Sequence, residues 1–261
     1  MSFCRLEITD AVATLTLDRP DVMNALSPAM LEGLLAALEQ VAAPDSGARC
    51  LIVTGAGKAF CAGANLQERI SPRDGSVATS TALETHYHPV LRRLRDMPFP
   101  VITAVEGAAA GAGMSLALMG DLVICGRSAY FLQAFRRIGL VPDAGSSWML
   151  PRLIGKARAM ELSLLGEKLP AQKALDWGLV NRVVEDGAAL AEARTLARDL
   201  AAGPTRALGM IRALYWESPE NSFERQLDAE CRTQRRALAG EDFREGVAAF
   251  LEKRPAHFSG R

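Results

Sequence analysis

The sequence predicts an α/β fold with a helical C-terminal region, on three observations. Apolar, β-branched runs at 50–54 and 101–105 are each followed directly by a run of tiny residues. Strand–helix–strand alternation over residues 50–125 implies strands covered on both faces. Past residue 188, runs rich in Ala, Leu, Arg and Glu carry no strand signal.

Taken in order, residues 3–17 read as a hairpin, 5–9 and 12–17, with Asp10 at the bend. Ser27-Pro28 marks a helix start, an N-cap followed by proline at the first helical position. Met30, Leu31, Leu34, Leu35, Leu38 and Val41 then line one helix face, which ends near residues 44–47. Residues 71–75 read as a loop, and Leu83, Tyr87, Val90, Leu91 and Leu94 keep helical spacing until Pro98. A short helix around 114–119, strand 122–125, helices near 156–165 and 171–177 and strand 180–184 follow. The last runs predict helices over 188–202, 205–216, 220–238 and 241–253. A composition shift near residue 195 divides a core, 1–195, from a helical region, 196–261, suited to oligomer packing.

Composition narrows the function classes. Thirty basic and thirty acidic residues cancel, so no global field favours nucleic acid or an anionic membrane. Five scattered cysteines without a Cys-x-x-Cys pair argue against a disulfide framework or zinc site and for a reducing cytoplasm. The N-terminal residues lack the basic-then-apolar pattern of a signal peptide, and no run reaches membrane-spanning length. His86 and His88, two apart, point to different sides of a helix and make no metal pair.

The two small-residue runs, Gly55-Ala-Gly-Lys-Ala-Phe-Cys-Ala-Gly-Ala-Asn-Leu66 and Gly107-Ala-Ala-Ala-Gly-Ala-Gly-Met114, allow close backbone approach and expose N–H donors. Two such loops side by side can aim two N–H groups at one oxygen, as an oxyanion hole does. Neither matches a P-loop or a dinucleotide-binding fingerprint.

These runs resemble the signature segments of the crotonase (enoyl-CoA hydratase/isomerase) superfamily. The resemblance extends through Leu17-Asp-Arg-Pro20, Asn24-Ala-Leu26, Ala104-Val-Glu-Gly107, Asp121-Leu-Val-Ile124, Gly139-Leu-Val-Pro-Asp-Ala-Gly145, Leu150-Pro-Arg152, Ala174-Leu-Asp-Trp-Gly-Leu-Val180 and Phe250-Leu-Glu-Lys-Arg254. It implies a spiral of ββα units that binds acyl-CoA, assembles as a trimer or a dimer of trimers, and needs no cofactor beyond the coenzyme A of its substrate. By position it implies Ala62 and Ala112 as oxyanion donors. Substrate contacts are implied for Ala62, Gly63, Ala64, Asn65, Ala112 and Met23, and for Lys253 and Phe258 of the tail, from the same or a neighbouring subunit.

The sequence departs from the hydratase pattern at both water-activating carboxylates, where it has Ser115 and Phe135. Asp143 remains, and an acidic residue there resembles the isomerase branch, which includes epoxyphenylacetyl-CoA and Δ3,Δ2-enoyl-CoA isomerases. One carboxylate suffices for a 1,3-proton shift, best with its pKa raised by burial beside Leu140, Val141 and Trp148. An aspartate after proline also suits an ordinary turn. Alternatives are a hydratase using another water-activating group, a thioesterase acting through Ser115, and a non-catalytic acyl-CoA binding protein.

Overall fold

The computed structural model describes residues 3–66 and 82–260. The expected loop at 71–75 lies outside the described residues. Strands β1 (Cys4–Thr9) and β2 (Val12–Leu17) pair antiparallel. Asp10 and Ala11 between them take φ of 51° and 61°, the pair of left-handed residues that a two-residue type I′ hairpin demands. Helix α1 (Pro28–Ala42) starts where Ser27 Oγ accepts the Met30 N–H at 3.2 Å. It buries Met30, Leu31, Leu34, Leu38 and Val41, with Leu35 only partly covered.

Strand β3 (Cys50–Gly55) leads into the first small-residue loop. A π-helical turn, Leu83–Tyr87, continues into α2 (His88–Arg95), which β4 (Val101–Val105) follows. The stretch read as one glycine loop is more structured than its composition indicates. It holds β5 (Ala108–Ala110) and α3 (Ala112–Ala117), ahead of β6 (Leu122–Gly126) and β7 (Tyr130–Leu132). Helix α4 (Ser146–Leu165) is broken at Gly155, whose φ of 77° and ψ of 156° are not helical, so the expected helix at 156–165 is its second half. Next come β8 (Lys168–Pro170), α5 (Ala171–Asp176) and β9 (Arg182–Val184). The chain closes with α6 (Ala189–Ala202), α7 (Thr205–Glu217), α8 (Phe223–Leu238) and α9 (Glu241–Glu252).

The main sheet runs β1-β2-β3-β4-β6-β9 and is parallel except at β1/β2; β5-β7-β8 form a second, small sheet. Strands β3 and β4 are buried along almost their whole length because helices cover both faces. Leu51, Val53, Val101 and Val105 join the cluster that includes α1. Ile52, Ile102 and Ile124 face Ala189, Ala193, Ala197 and Ala201 of α6, whose methyls let helix and sheet approach closely. The expected boundary at 195/196 therefore falls inside a helix that belongs to the core. The chain leaves the sheet after Ala202, at Gly203-Pro204.

The later helices are fastened at the N-terminal edge of the parallel strands. Arg212 of α7, almost wholly buried, donates from Nε to Asp121 Oδ2 at 2.7 Å. Its other nitrogens reach the carbonyls of Leu94 at 2.5 Å, of Met97 at 3.1 Å and of Arg95, closing the C-terminal end of α2. At the same edge Arg49 donates to Thr205 Oγ1 and Gly203 O, each at 2.6 Å, and to Phe258 O at 3.2 Å. Among the described residues no helix is long and apolar enough to cross a membrane.

Replacing Arg212 by Met leaves Asp121 without its buried counter-charge, a change that costs about 3 kcal/mol or more. Urea unfolding is expected to show that loss. Adding Asp121→Leu to Arg212→Met is expected to recover only part of it, because the carbonyls of Leu94, Arg95 and Met97 and the Val101 N–H still lack those partners.

Candidate active site

The two small-residue loops leave the C-terminal ends of adjacent strands, β3 and β4, where open parallel sheets bind ligands. Backbone hydrogen bonds zip them together. Phe60 N–H donates to Glu106 O at 2.7 Å, Cys61 N–H to Ala108 O at 3.0 Å, and Ala110 N–H to Cys61 O at 3.0 Å. Contact this close excludes side chains. A Cβ on Gly63, at φ 93°, would sit 2.7 Å from Ala110 O, and one on Gly113 would sit 2.4 Å from Cys61 O. The Asn24-Ala-Leu26 segment clamps the first loop from its other side. Buried Asn24 donates Nδ2–H to Ala56 O and Ala59 O at 2.9 and 2.8 Å, and Leu26 N–H donates to Gly63 O at 2.7 Å.

Following each N–H through the loops shows which donors remain. Ala62 N–H donates to Met23 O at 2.9 Å, Gly63 N–H to Cys61 Sγ at 3.5 Å, and Asn65 N–H to Leu26 O at 3.0 Å. Among the described residues Ala64 N–H has no partner. In the second loop Gly111 N–H donates to Leu132 O at 2.8 Å, and Ala112, the first residue of α3, has no acceptor one turn back. The expectation for Ala62 is thereby corrected. Its N–H closes the Met23 turn, and the open donor is Ala64, two residues on. Gly63 lies against the 110–112 backbone, with its Cβ position 3.6 Å from Ala112 N, so the residue before Ala64 adjoins the start of α3. Met23 itself, at φ 51°, leaves its side chain exposed beside this loop.

Asp143 comes to the same helix. Its main-chain carbonyl accepts from Ser146 N–H at 3.0 Å, Ser146 Oγ at 2.9 Å and Ser115 Oγ at 3.3 Å, and Ser115 is one turn into α3. Asp143 is half-buried and its Oδ1 is shielded from solvent. The shield is not the one expected. Leu140 and Val141 are 48% and 76% exposed, because Gly139, at φ 70°, ends a 3-10 turn and directs the chain outward. Phe135 is buried, its Cζ 3.9 Å from where a Gly111 side chain would begin. An apolar ring thus lies against the loop that precedes Ala112.

Other candidates lie elsewhere or are occupied. Ser115 has its hydroxyl on the Asp143 carbonyl, and His257, the downstream histidine, is in the tail, its N–H on Glu245 Oε1 at 2.8 Å. Burial pushes the Cys61 thiol up to about 12, which keeps it protonated and inert at neutral pH. Lys253 is the exposed left-handed cap of α9. Phe258 packs on Gly246, and its carbonyl is tied to Arg49. Arg49 precedes β3 whereas the loops follow it, so within one chain the tail sits at the opposite end of that strand. His86 is engaged by Glu32 and Thr85 at 3.3 and 2.8 Å.

The sequence reading missed two contributors: the Asn24 clamp, quoted only as part of a motif, and the Ser115–Asp143 link. Residue spacing gives no signal for either, since both join segments 28 or more residues apart.

Comparison with known proteins finds the enoyl-CoA hydratase/isomerase family model matching residues 7–261. The chain is 45% identical over 262 residues to 1,2-epoxyphenylacetyl-CoA isomerase of Escherichia coli K12, covering 100% of each. It is 45% identical over 257 residues to a probable enoyl-CoA hydratase of Rhodobacter capsulatus, covering 98% of each. A solved enoyl-CoA hydratase-like structure from Streptomyces coelicolor superposes with a TM-score of 0.93 at 38% identity, covering 99% of this chain and 94% of that one.

Two outcomes follow from the loop packing. Gly63→Ala forces a methyl into Ala110 O at a positive φ, and is expected to destabilise by about 1–3 kcal/mol and to abolish turnover. Denaturant unfolding and a turnover assay measure both effects. Thiol labelling of the native protein at pH 8 is expected to modify exposed Cys231 and spare Cys4, Cys50, Cys61 and Cys125, all buried, until the chain is unfolded.

Proposed function

Since the chain belongs to the enoyl-CoA hydratase/isomerase family, we propose that it isomerises an enoyl-CoA or related acyl-CoA ester, with Asp143 as general base. Ala64 and Ala112 are the oxyanion donors in this reading. The observation that carries it is the attachment of the Asp143 turn to α3 through Ser115, which sets a carboxylate beside the helix that begins with an open N–H.

The chemistry needs nothing more than these groups. Asp143 takes the proton α to the thioester, and the electron pair moves onto the carbonyl oxygen. Two preorganised amides in a site shielded from water stabilise that charge, each worth about 2.7–4 kcal/mol in comparable sites. The protonated acid then returns the proton at the γ-carbon, or at the carbon freed when a strained ring opens. Electrons stay on the carbon skeleton, so no redox partner enters. The cofactor-free reaction uses coenzyme A only as part of its substrate. Likeness to the Escherichia coli 1,2-epoxyphenylacetyl-CoA isomerase supports an aromatic acyl group and the ring-opening variant. Phe135, in place of a carboxylate, supports the same choice by making the site apolar.

Two further parts of the reading concern assembly. Tyr215, Phe223, Phe250 and Leu251 on α7, α8 and α9 are each more than 70% exposed, apolar side chains that a subunit interface would remove from water. Their cover in a homotrimer or dimer of trimers fits this, with residues 203–261 as the packing region. In such an assembly Lys253 and Phe258 reach the coenzyme A site of a neighbouring subunit, since their own loops are at the far end of β3.

Mass spectrometry of reactions in D₂O with 3-enoyl-, 2-enoyl- and arylacetyl-CoA esters tests the reaction class. Isomerisation with deuterium uptake, no added water and no free coenzyme A is expected. Asp143→Asn is expected to lower kcat by about 10²–10⁴-fold while binding of the ester changes little. Full activity of that variant removes Asp143 from the mechanism, and a water adduct restores the hydratase reading favoured by the Rhodobacter relative.

A further inference from the structure

We propose that the stacked Trp148–Trp216 pair is the end wall of the acyl pocket and sets the length of acyl group the protein accepts. The inference rests on the reading of Asp143 as the group that faces the thioester.

The turn that carries Asp143 opens directly onto a cavity. Ala144 and Gly145, the next two residues, line a space of about 360 Å³ that continues past Leu91, Met119 and Met149 to the two indoles. That volume lies within the roughly 300–1,000 Å³ of small-molecule sites. Its inner wall is apolar, and its charged residues, Arg92, Arg95 and Glu220, are exposed at the rim. An acyl group whose α-carbon lies beside Asp143 would extend past Ala144 and Gly145 into this apolar space.

The path has a built stop. Trp148 of α4 and Trp216 of α7 stack with centroids 5.8 Å apart and planes 9° from parallel, a geometry that adds to the burial of both rings. Each is held in place. Trp148 Nε1–H donates to Glu220 at 3.3 Å, and the Arg152 guanidinium lies 4.1 Å from the centre of its ring. Trp216 sits on α7 one turn beyond Arg212, whose guanidinium is anchored on Asp121. Beyond the pair is a second apolar cavity of about 480 Å³, bounded by Leu153, Leu208, Ile211 and Tyr215, and the two indoles are common to both. The pair is thus a partition. With it in place a phenyl ring or short chain fills the first cavity, and a long chain has no room. Truncating one indole joins the two spaces.

Binding of saturated acyl-CoA esters tests this without any chemistry, because such esters have no double bond to shift. Intrinsic tryptophan fluorescence and calorimetry would compare acetyl-, phenylacetyl- and hexadecanoyl-CoA. The native protein is expected to bind phenylacetyl-CoA with a change in indole emission, and hexadecanoyl-CoA at least tenfold more weakly. Trp148→Ala is expected to tighten hexadecanoyl-CoA at least tenfold, weaken phenylacetyl-CoA several-fold and leave acetyl-CoA unchanged. Trp148→Leu, which keeps more of the core volume, is expected to shift the same way by less. An unchanged length profile in folded Trp148→Ala and Trp148→Leu overturns the proposal, as does a change in subunit number with the profile intact, which would assign the pair to an interface. A shifted profile without isomerisation in D₂O would sink the proton-shift reading and leave the end wall standing. Isomerisation with an unshifted profile would do the reverse.

Discussion

Backbone packed directly against backbone, between residues 59–64 and 107–113, is the constraint on which the rest of the site depends. An N–H group is a useful donor to a reaction intermediate only if nothing inside the protein uses it and nothing moves when charge appears. Both conditions come from the zipper. It consumes the N–H groups of Phe60, Cys61 and Ala110 in cross-loop bonds, and the Met23 and Leu26 carbonyls take those of Ala62 and Asn65. Ala64 is left over between the committed N–H groups of Gly63 and Asn65, and Ala112 opens α3 just after the committed N–H of Gly111. Glycine at 63 and 113 is the physical condition for this, since a single methyl at either would push the strands apart.

The C-terminal helices are tied to the same core by a different device. Arg212 satisfies the open carbonyls at the end of α2 and the carboxylate of Asp121, which itself accepts the Val101 N–H at 2.8 Å. Those carbonyls are the ones a helix end leaves unpaired, so the guanidinium caps one element while docking another. Trp216, four residues on from Arg212, is thereby carried to the vicinity of the Asp143 turn. The helical region thus meets the site from inside its own chain through Trp216, whereas its tail is bound at the far edge of the sheet.

The elements most readable in the sequence were those whose signals are local. Ser27-Pro28 forms its cap, the Asp10 turn forms its hairpin, and the strands at 50–55 and 101–105 follow their β-branched runs. The three-stranded second sheet was not readable. Ala108–Ala110 has no strand propensity, and it is extended only because Tyr130–Leu132 and the Cys61 backbone pair with it. The composition shift near 195 falls within α6, whose alanines signal close packing on isoleucines. Within the candidate site, the two small-residue loops were legible from motif and order. The choice between Ala62 and Ala64 was not, because composition does not reveal which N–H is already engaged.

Alanine at 112 fits the same logic. An N–H can be aimed outward from a helix start without glycine if the residue before it absorbs the unusual backbone geometry. Gly111 does so, with φ of 51° and ψ of −127°, values that L side chains avoid. Ala112 then takes an ordinary helical conformation, and its methyl is buried. On the proposed reading this methyl also helps keep water from the donor, which raises the worth of each amide to a developing oxyanion. A single carboxylate must then serve two carbons. The Asp143 main chain is pinned by three hydrogen bonds to its carbonyl, which fixes the turn that carries the carboxyl group. On the proposed reading, an acid carried on a fixed turn suits a proton shift along one face of the substrate. Hydration, by contrast, would need a further group to hold and activate water, since Phe135 supplies none.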